Sequence, residues 1–225
     1  MTSVLGLASA GCALGALVVA VRWSTRRRDA LGRPRDLPVW SLSLLVLTAV
    51  GAAIPGALRR VEEHRLASVA SRLVGRTVSV HCQSTAGALV DAGAELGFVP
   101  YDAAGVPRPT TTLKRDPCRD LKSYLNGGKD NPSTNQVVAV HVLTHESMHM
   151  RGETSEAVAE CEALQRDELT ATMLGANPKQ ARHLARSYWL LVYPQVADDY
   201  RTSDCAPGGA LDEGLPTAPW LPAPA

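Results

Sequence analysis

Val137 to Glu160 reads VVAVHVLTHESMHMRGETSEAVAE, and this stretch sets the expectations for the rest of the chain. It contains His145-Glu146-Ser147-Met148-His149, an HExxH pentapeptide. Residues four apart lie on one face of a helix, about a turn apart. Two imidazoles stacked in this way can share one zinc ion at ~2.0–2.1 Å each. The carboxylate after the first histidine is placed to take a proton from water activated by the metal.

Helical context is written on both sides. Ser133 and Gln136 fit a capping box, and Gly152 fits the residue that ends a helix. The Val-rich first turns are apolar all round, which predicts a buried start and an open end near His145 and His149. A catalytic zinc takes three protein ligands and keeps one open position. Glu156 and Glu160 are the candidates for the third, on a new helix capped by Thr154 or Ser155. Glu156 is preferred because it lies nearest the reversal at Gly152. Glu160 is then a supporting partner or the alternative ligand. His141, four residues before His145, is a candidate supporting residue on the same face. His64, His81 and His183 stand alone and read as structural or exposed.

HExxH, a Gly-ended turn and then an ExxA helix resemble a minimal gluzincin metallopeptidase, over roughly Ser133 to Leu174. The resemblance implies zinc on His145 and His149, Glu146 as general base, and Glu156, followed by Ala159, as third ligand. It implies a peptide or protein substrate and a zincin-like domain. The metzincin pattern HExxHxxGxxH is matched through Gly152, but Ser155 stands where its last histidine belongs. Two apolar spans followed by this motif also resemble an uncharacterised actinobacterial membrane protein family. The alternative function is a non-catalytic, zinc-stabilised interaction domain on a membrane anchor.

Upstream, Val4–Val21 is an uncharged run of 18 residues and Leu37–Leu58 one of 22. A hydrocarbon core needs about 20 apolar helical residues, so two transmembrane helices are expected, about 4–21 and 37–58. The loop between them carries Arg22, Arg26, Arg27, Arg28, Arg33 and Arg35 against Asp29 and Asp36. The positive-inside rule puts that loop in the cytoplasm, with Trp23 and Trp40 at the interface. The N-terminus and everything after Leu58 then face outward from the plasma membrane, and the lipid bilayer is a partner. Pro55 and Gly56 are expected to loosen the second span. Residues 61–75 read as a stalk or linker helix.

Of 225 residues, five are cysteines, and four lie beyond the spans: Cys82, Cys118, Cys161 and Cys205. An even number suits two disulfides on an oxidising side. Of the three pairings open to them, Cys82–Cys118 with Cys161–Cys205 is preferred. No CxxC pair exists, which speaks against a thiolate zinc site. A net charge of +1 points to no nucleic-acid partner.

The expected fold is α+β: a short sheet, the HExxH helix and two further helices, over residues 76–201. Arg76–His81 alternates as a strand, Ala94–Tyr101 is a second candidate, and Val106–Leu113 has two prolines, which predict an edge or irregular strand. The sheet edge could pair with an extended peptide. Asp116-Pro117 reads as the start of a helix ending at Asn126. The helix of Glu156 is expected to run to Gly175. A third helix from Asn177-Pro178 to Tyr200 is expected to bend at Pro194. Tyr188, Tyr193 and Tyr200 are candidate oxyanion donors. From Thr202 to Ala225 a Pro/Gly-rich, disordered tail is expected.

Overall fold

The computed structural model describes residues 4–25, 28, 32, 33, 36–84, 87, 93 and 95–220. Arg26, Arg27, Asp29, Arg35, Ala94 and residues 221–225 fall outside the described set. The chain divides into two compact units, Met1–Val61 and Glu62–Ala225.

In the first unit, α1 (Val4–Thr25) and the start of α2 (Val39–Val74) are long and apolar enough to cross a membrane. Almost none of their apolar windows is buried. Ser9 Oγ donates to the Ala49 carbonyl at 2.8 Å, and Trp23 Nε1 to the Asp36 carbonyl at 3.1 Å.

Pro55-Gly56 does not end the helix, although Pro55, without an N–H, leaves one helical hydrogen bond unmade. Helix α2 runs unbroken for 36 residues with Pro55 inside it. Nor is 61–75 a separate stalk. Leu66, Val69, Ala70 and Leu73 recur at helical spacing and are buried in the core of the second unit. Gly75, at φ 79°, turns the chain into the sheet, a conformation natural to glycine.

The sheet has three strands: β1 (Ser79–Cys82), β2 (Gly97–Phe98) and β3 (Thr110–Leu113), in the order β1-β3-β2. β1 is parallel to β3, with Ser79 opposite Thr110 and Cys82 opposite Leu113. β2 is antiparallel to β3, with Gly97 opposite Leu113. The proline-containing segment therefore supplies the central strand, not an edge. Pro107 and Pro109 both precede Thr110, and Pro109 contributes the carbonyl that accepts from Ser79 N at 2.9 Å. A proline at that point lends the ladder an acceptor where no donor is needed.

Helix α3 (Arg115–Asn126) starts two residues earlier than the Asp116-Pro117 pair implies. Lys114 holds the cap without a side-chain bond, and Asp116 lies in the first turn, paired with Arg119 at 2.7 Å. Helix α4 (Thr134–Arg151) starts on the expected capping box, Ser133 with Gln136, and ends at Gly152 with φ 123°. Every residue from Ala139 to Met150 is buried. The open end expected for this helix is therefore a cleft against its flank and not an exposed terminus. Helix α5 (Glu156–Leu164) is capped by Ser155.

The next helix was expected to be continuous to Gly175, but it breaks at Gln165-Arg166 and restarts as α6 (Asp167–Met173). The C-terminal segment explains the break. Gln165 Nε2 donates to the Leu211 carbonyl (2.9 Å), Gln165 Oε1 accepts from Glu213 N (2.8 Å), and the Gln165 carbonyl accepts from Thr217 Oγ1 (2.7 Å). A backbone carbonyl freed from the helix thus finds another donor. Arg166 grips Glu213 as well. The expectation of a disordered tail fails for residues 202–220: Cys205 is buried and Leu211 and Trp220 pack on the core.

Helix α7 (Pro178–Ser187) begins on a capping box of Asn177 and Gln180. It does not continue as one bent helix. A π-helical turn (Tyr188–Val192) and two 3₁₀ turns (Tyr193–Gln195, Asp198–Tyr200) follow. The preferred disulfides both form. Cys82–Cys118 ties β1 to α3, and Cys161–Cys205 ties α5 to the C-terminal segment.

Candidate metal centre

The site is built on α4, whose His141, His145 and His149 follow at four-residue spacing. His149 Nδ1 lies 2.8 Å from the Glu153 carbonyl, which can only accept, so this nitrogen carries the hydrogen and Nε2 a lone pair. His145 Nδ1 faces Glu160 Oε2 at 3.1 Å, though without the alignment of a hydrogen bond. Its Nε2 points the other way, 3.0 Å from His149 Nε2. Glu156 Oε2 completes the group at 3.1 Å from His145 Nε2 and 3.3 Å from His149 Nε2.

Lone pairs and a carboxylate oxygen this close repel unless a cation lies among them. Three ligands at ~2.0–2.1 Å around a tetrahedral ion are separated by about 3.3 Å, close to the three distances here. His145, His149 and Glu156 therefore could bind a metal ion. Without one, a proton serves in part. Burial opposes a charge on His145, but its contacts with Glu156 and Glu160 outweigh burial and push its pKa up to about 9. The Glu156 carboxyl is held below its ordinary value by the same contact with His145, against a smaller effect of burial.

A second group, His141, His145 and Glu160, lies deeper and could also bind a metal ion. His141 Nδ1 is 2.7 Å from Asp167 Oδ2, and Nε2 is 2.9 Å from Glu160 Oε2. Tyr188 stacks on His141, ring centroids 3.6 Å apart, and donates its hydroxyl to Glu160 Oε1 at 2.7 Å. Burial works against the His141 charge, yet the facing Asp167 and Glu160 raise its pKa to about 10. For Glu160, burial is likewise overcome, by His141 first and then His145, and the carboxyl is held well below the usual range.

Glu146 is buried beside the outer group. Thr111 Oγ1 on β3 lies 3.3 Å from its Oε2. Gly97 on β2 faces it so closely that an added Cβ would stand 2.8 Å from Oε1. Burial raises the Glu146 pKa to about 7, against the opposing pull of His145 and Thr111. A carboxyl poised there exchanges protons readily near neutrality.

Two cavities meet at this point. One of about 200 Å³ is lined by His145, Glu146, His149 and Glu156 together with β2. The other, of about 460 Å³, runs along Val138, Val142, Val192 and Val196 and is also lined by His141, His145, Glu146, Glu160 and Tyr188. Tyr200 lines both, its ring 5.7 Å from that of His145. Burial, then the Glu156 and Asp199 charges, push its pKa up to about 12, so it remains a donor. The other two tyrosines are engaged elsewhere: Tyr188 with Glu160, and Tyr193 with the backbone of Thr202.

The structure thus brings His145, Glu146, His149 and Glu156 together at one cleft and sets Glu160 and His141 behind it. His64, His81 and His183 belong to no metal-binding group among the described residues. Asp167, Thr111 and Gly97 carried no signal in the sequence, since each reaches the site from 26 or more residues away. Compared with protein-family models, curated proteins and solved structures, the chain shows no match.

Proposed function

We propose that this chain is a membrane-anchored zinc metallopeptidase of gluzincin-like type, acting on the extracytoplasmic side. The observation that carries the reading is the convergence of two histidine nitrogens and one carboxylate oxygen at tetrahedral-edge distances, beside a buried carboxyl with an elevated pKa. His145, His149 and Glu156 are the ligands, and zinc suits imidazole and carboxylate donors in that number. Bound there, zinc supplies Lewis acidity toward water and toward a scissile carbonyl.

The rest is done by the chain. Glu146 takes a proton from the attacking water and passes it to the leaving amine. Thr111 and the close wall at Gly97 fix where that carboxyl points. Tyr200 donates toward the oxygen on which negative charge develops. Glu160 supports His145 from behind and is not itself a ligand. The orientation rests on the arginines between the two apolar runs, with none before the first, and on the two disulfides, which belong to an oxidising side.

The test uses the full chain purified in detergent. One zinc per chain, lost in His145→Ala, is expected. Glu146→Gln should keep the zinc and lower peptide hydrolysis by about 10²–10⁴-fold. A stably folded, metal-free protein sinks the metal site. Full zinc occupancy without cleavage of a broad peptide library sinks the peptidase and leaves the non-catalytic interaction domain.

A further inference from the structure

Two donor groups share His145, one on each ring nitrogen. In the deeper group His141 is the residue held from both sides. Both nitrogens of His141 face carboxylate oxygens, at 2.7 and 2.9 Å. A neutral ring facing two ionised carboxylates would set its lone pair against one of those oxygens, so a proton must lie in each contact; on the Asp167 side, burial pushes the carboxyl up and the proton is shared between it and the ring. The clamp is buried, with His141, Asp167 and Glu160 each at most 2% exposed, and it meets the larger cavity only through His141, Glu160 and Tyr188 in that cavity's wall. Tyr188 covers the face of the His141 ring and occupies the second Glu160 oxygen. Both Glu160 oxygens thus face partners: Oε1 accepts from Tyr188, and Oε2 lies 2.9 Å from His141 Nε2 and 3.1 Å from His145 Nδ1.

We propose that His141, clamped between Asp167 and Glu160, is a positioning residue: through the protons held in its two contacts it fixes Glu160 against His145 and fills the inner group in place of a second metal ion. The inference rests on the zinc site proposed above. It extends that site inward by one layer, through a residue, Asp167, that approaches no zinc ligand within hydrogen-bonding distance. It also explains why the two histidine ligands are held by unlike means. His149 leans on a main-chain carbonyl, which the fold supplies without side chains. His145 leans on a carboxylate, and a buried carboxylate needs its own counter-charge to stay ionised and still.

The experiment measures zinc affinity of the full chain in detergent by competition with a chromogenic chelator, and the visible spectrum after cobalt loading. The wild type should bind one zinc. His141→Gln should weaken zinc binding by about 10- to 100-fold, the range for partners that orient a metal-binding histidine. Asp167→Asn, of the same size, should weaken it several-fold and shift the cobalt bands in the same direction. A purely structural role would lower thermal stability and leave those bands in place. Unchanged affinity and bands in both folded variants, or two zinc ions per wild-type chain, would overturn the proposal. If His141→Gln does not fold, Asp167→Asn decides alone. A wild type that takes no zinc fails at the earlier reading and carries this inference with it. A wild type that binds zinc, with variants that do not care, sinks this inference only.

Discussion

The two units of the chain depart from ordinary globular packing in opposite ways. In Met1–Val61, large apolar side chains are exposed: Leu44 and Leu47 at 66% and 69%, Trp40 at 89%. In Glu62–Ala225, charged and titratable side chains are buried: His141, His145, Glu146, His149, Glu160 and Asp167. Exposed apolar patches and buried polar groups are the two deviations that carry information, because water penalises both. The first unit holds two helices long and apolar enough to cross a membrane, and the second brings together histidines and carboxylates that could bind a metal ion.

The comparison breaks most visibly if the first unit does not need lipid. Leu44→Arg with Leu47→Arg costs about 2.5–3.5 kcal/mol per residue at the centre of a span. The second span should then fail to insert, leaving the domain on the reducing side. Thiol alkylation of cells should find Cys82, Cys118, Cys161 and Cys205 reduced in the variant and oxidised in the wild type. Disulfides that persist in the variant would detach the fate of the second unit from the first.

Within the second unit, Gly97→Ala adds one methyl group against Glu146. Glu146 must then move, and a displacement of an ångström costs about 10²-fold in rate. Hydrolysis should fall by that order with zinc content unchanged. An unaffected rate would mean that Glu146 is not held by the sheet.

The buried charges also predict how stability varies with pH. The His141 pKa is raised when folded, from about 6.5 to about 10. Its stabilisation is complete below the unfolded value and is lost as pH climbs toward 10. Glu146, raised to about 7, acts in the same direction. Glu160, held low, loses its contribution only in acid. The melting temperature of zinc-free protein should therefore be highest in mild acid and fall steadily from pH 6 to 10. A rise over that interval would mean that the inner cluster is not charged as described. The smallest effect is expected at the cap of α4, where Ser133→Ala should cost about 1 kcal/mol in chemical denaturation without touching zinc affinity.

Much of the outer site was legible because it is local. Helical spacing brings His145 and His149 together, and a short reversal at Gly152 returns Glu156 to them. The caps at Ser133 and Asn177 and the apolar spans were readable for the same reason, since each is decided within a few residues. The choice between Glu156 and Glu160 was not readable: both lie on one helix face, and only the rotation of the His145 ring separates them. The break at Gln165 and the ordered C-terminal segment were hidden too. They depend on hydrogen bonds across 46 to 52 residues. The proline-containing strand misled because propensity describes a strand in isolation, while its place in the sheet depends on which carbonyls its neighbours use.

By itself, then, the sequence determined the periodic features: two apolar helices, an HExxH helix with its caps, and a carboxylate just past its end. Spacing along a helix fixes direction, and direction is all that such pairs require. Tertiary structure alone decided which carboxylate meets which nitrogen, what stands behind His145, and which wall confines Glu146. Those contacts join segments far apart in the chain, and only the packing of α4 among the sheet and its neighbouring helices brings them within hydrogen-bonding distance.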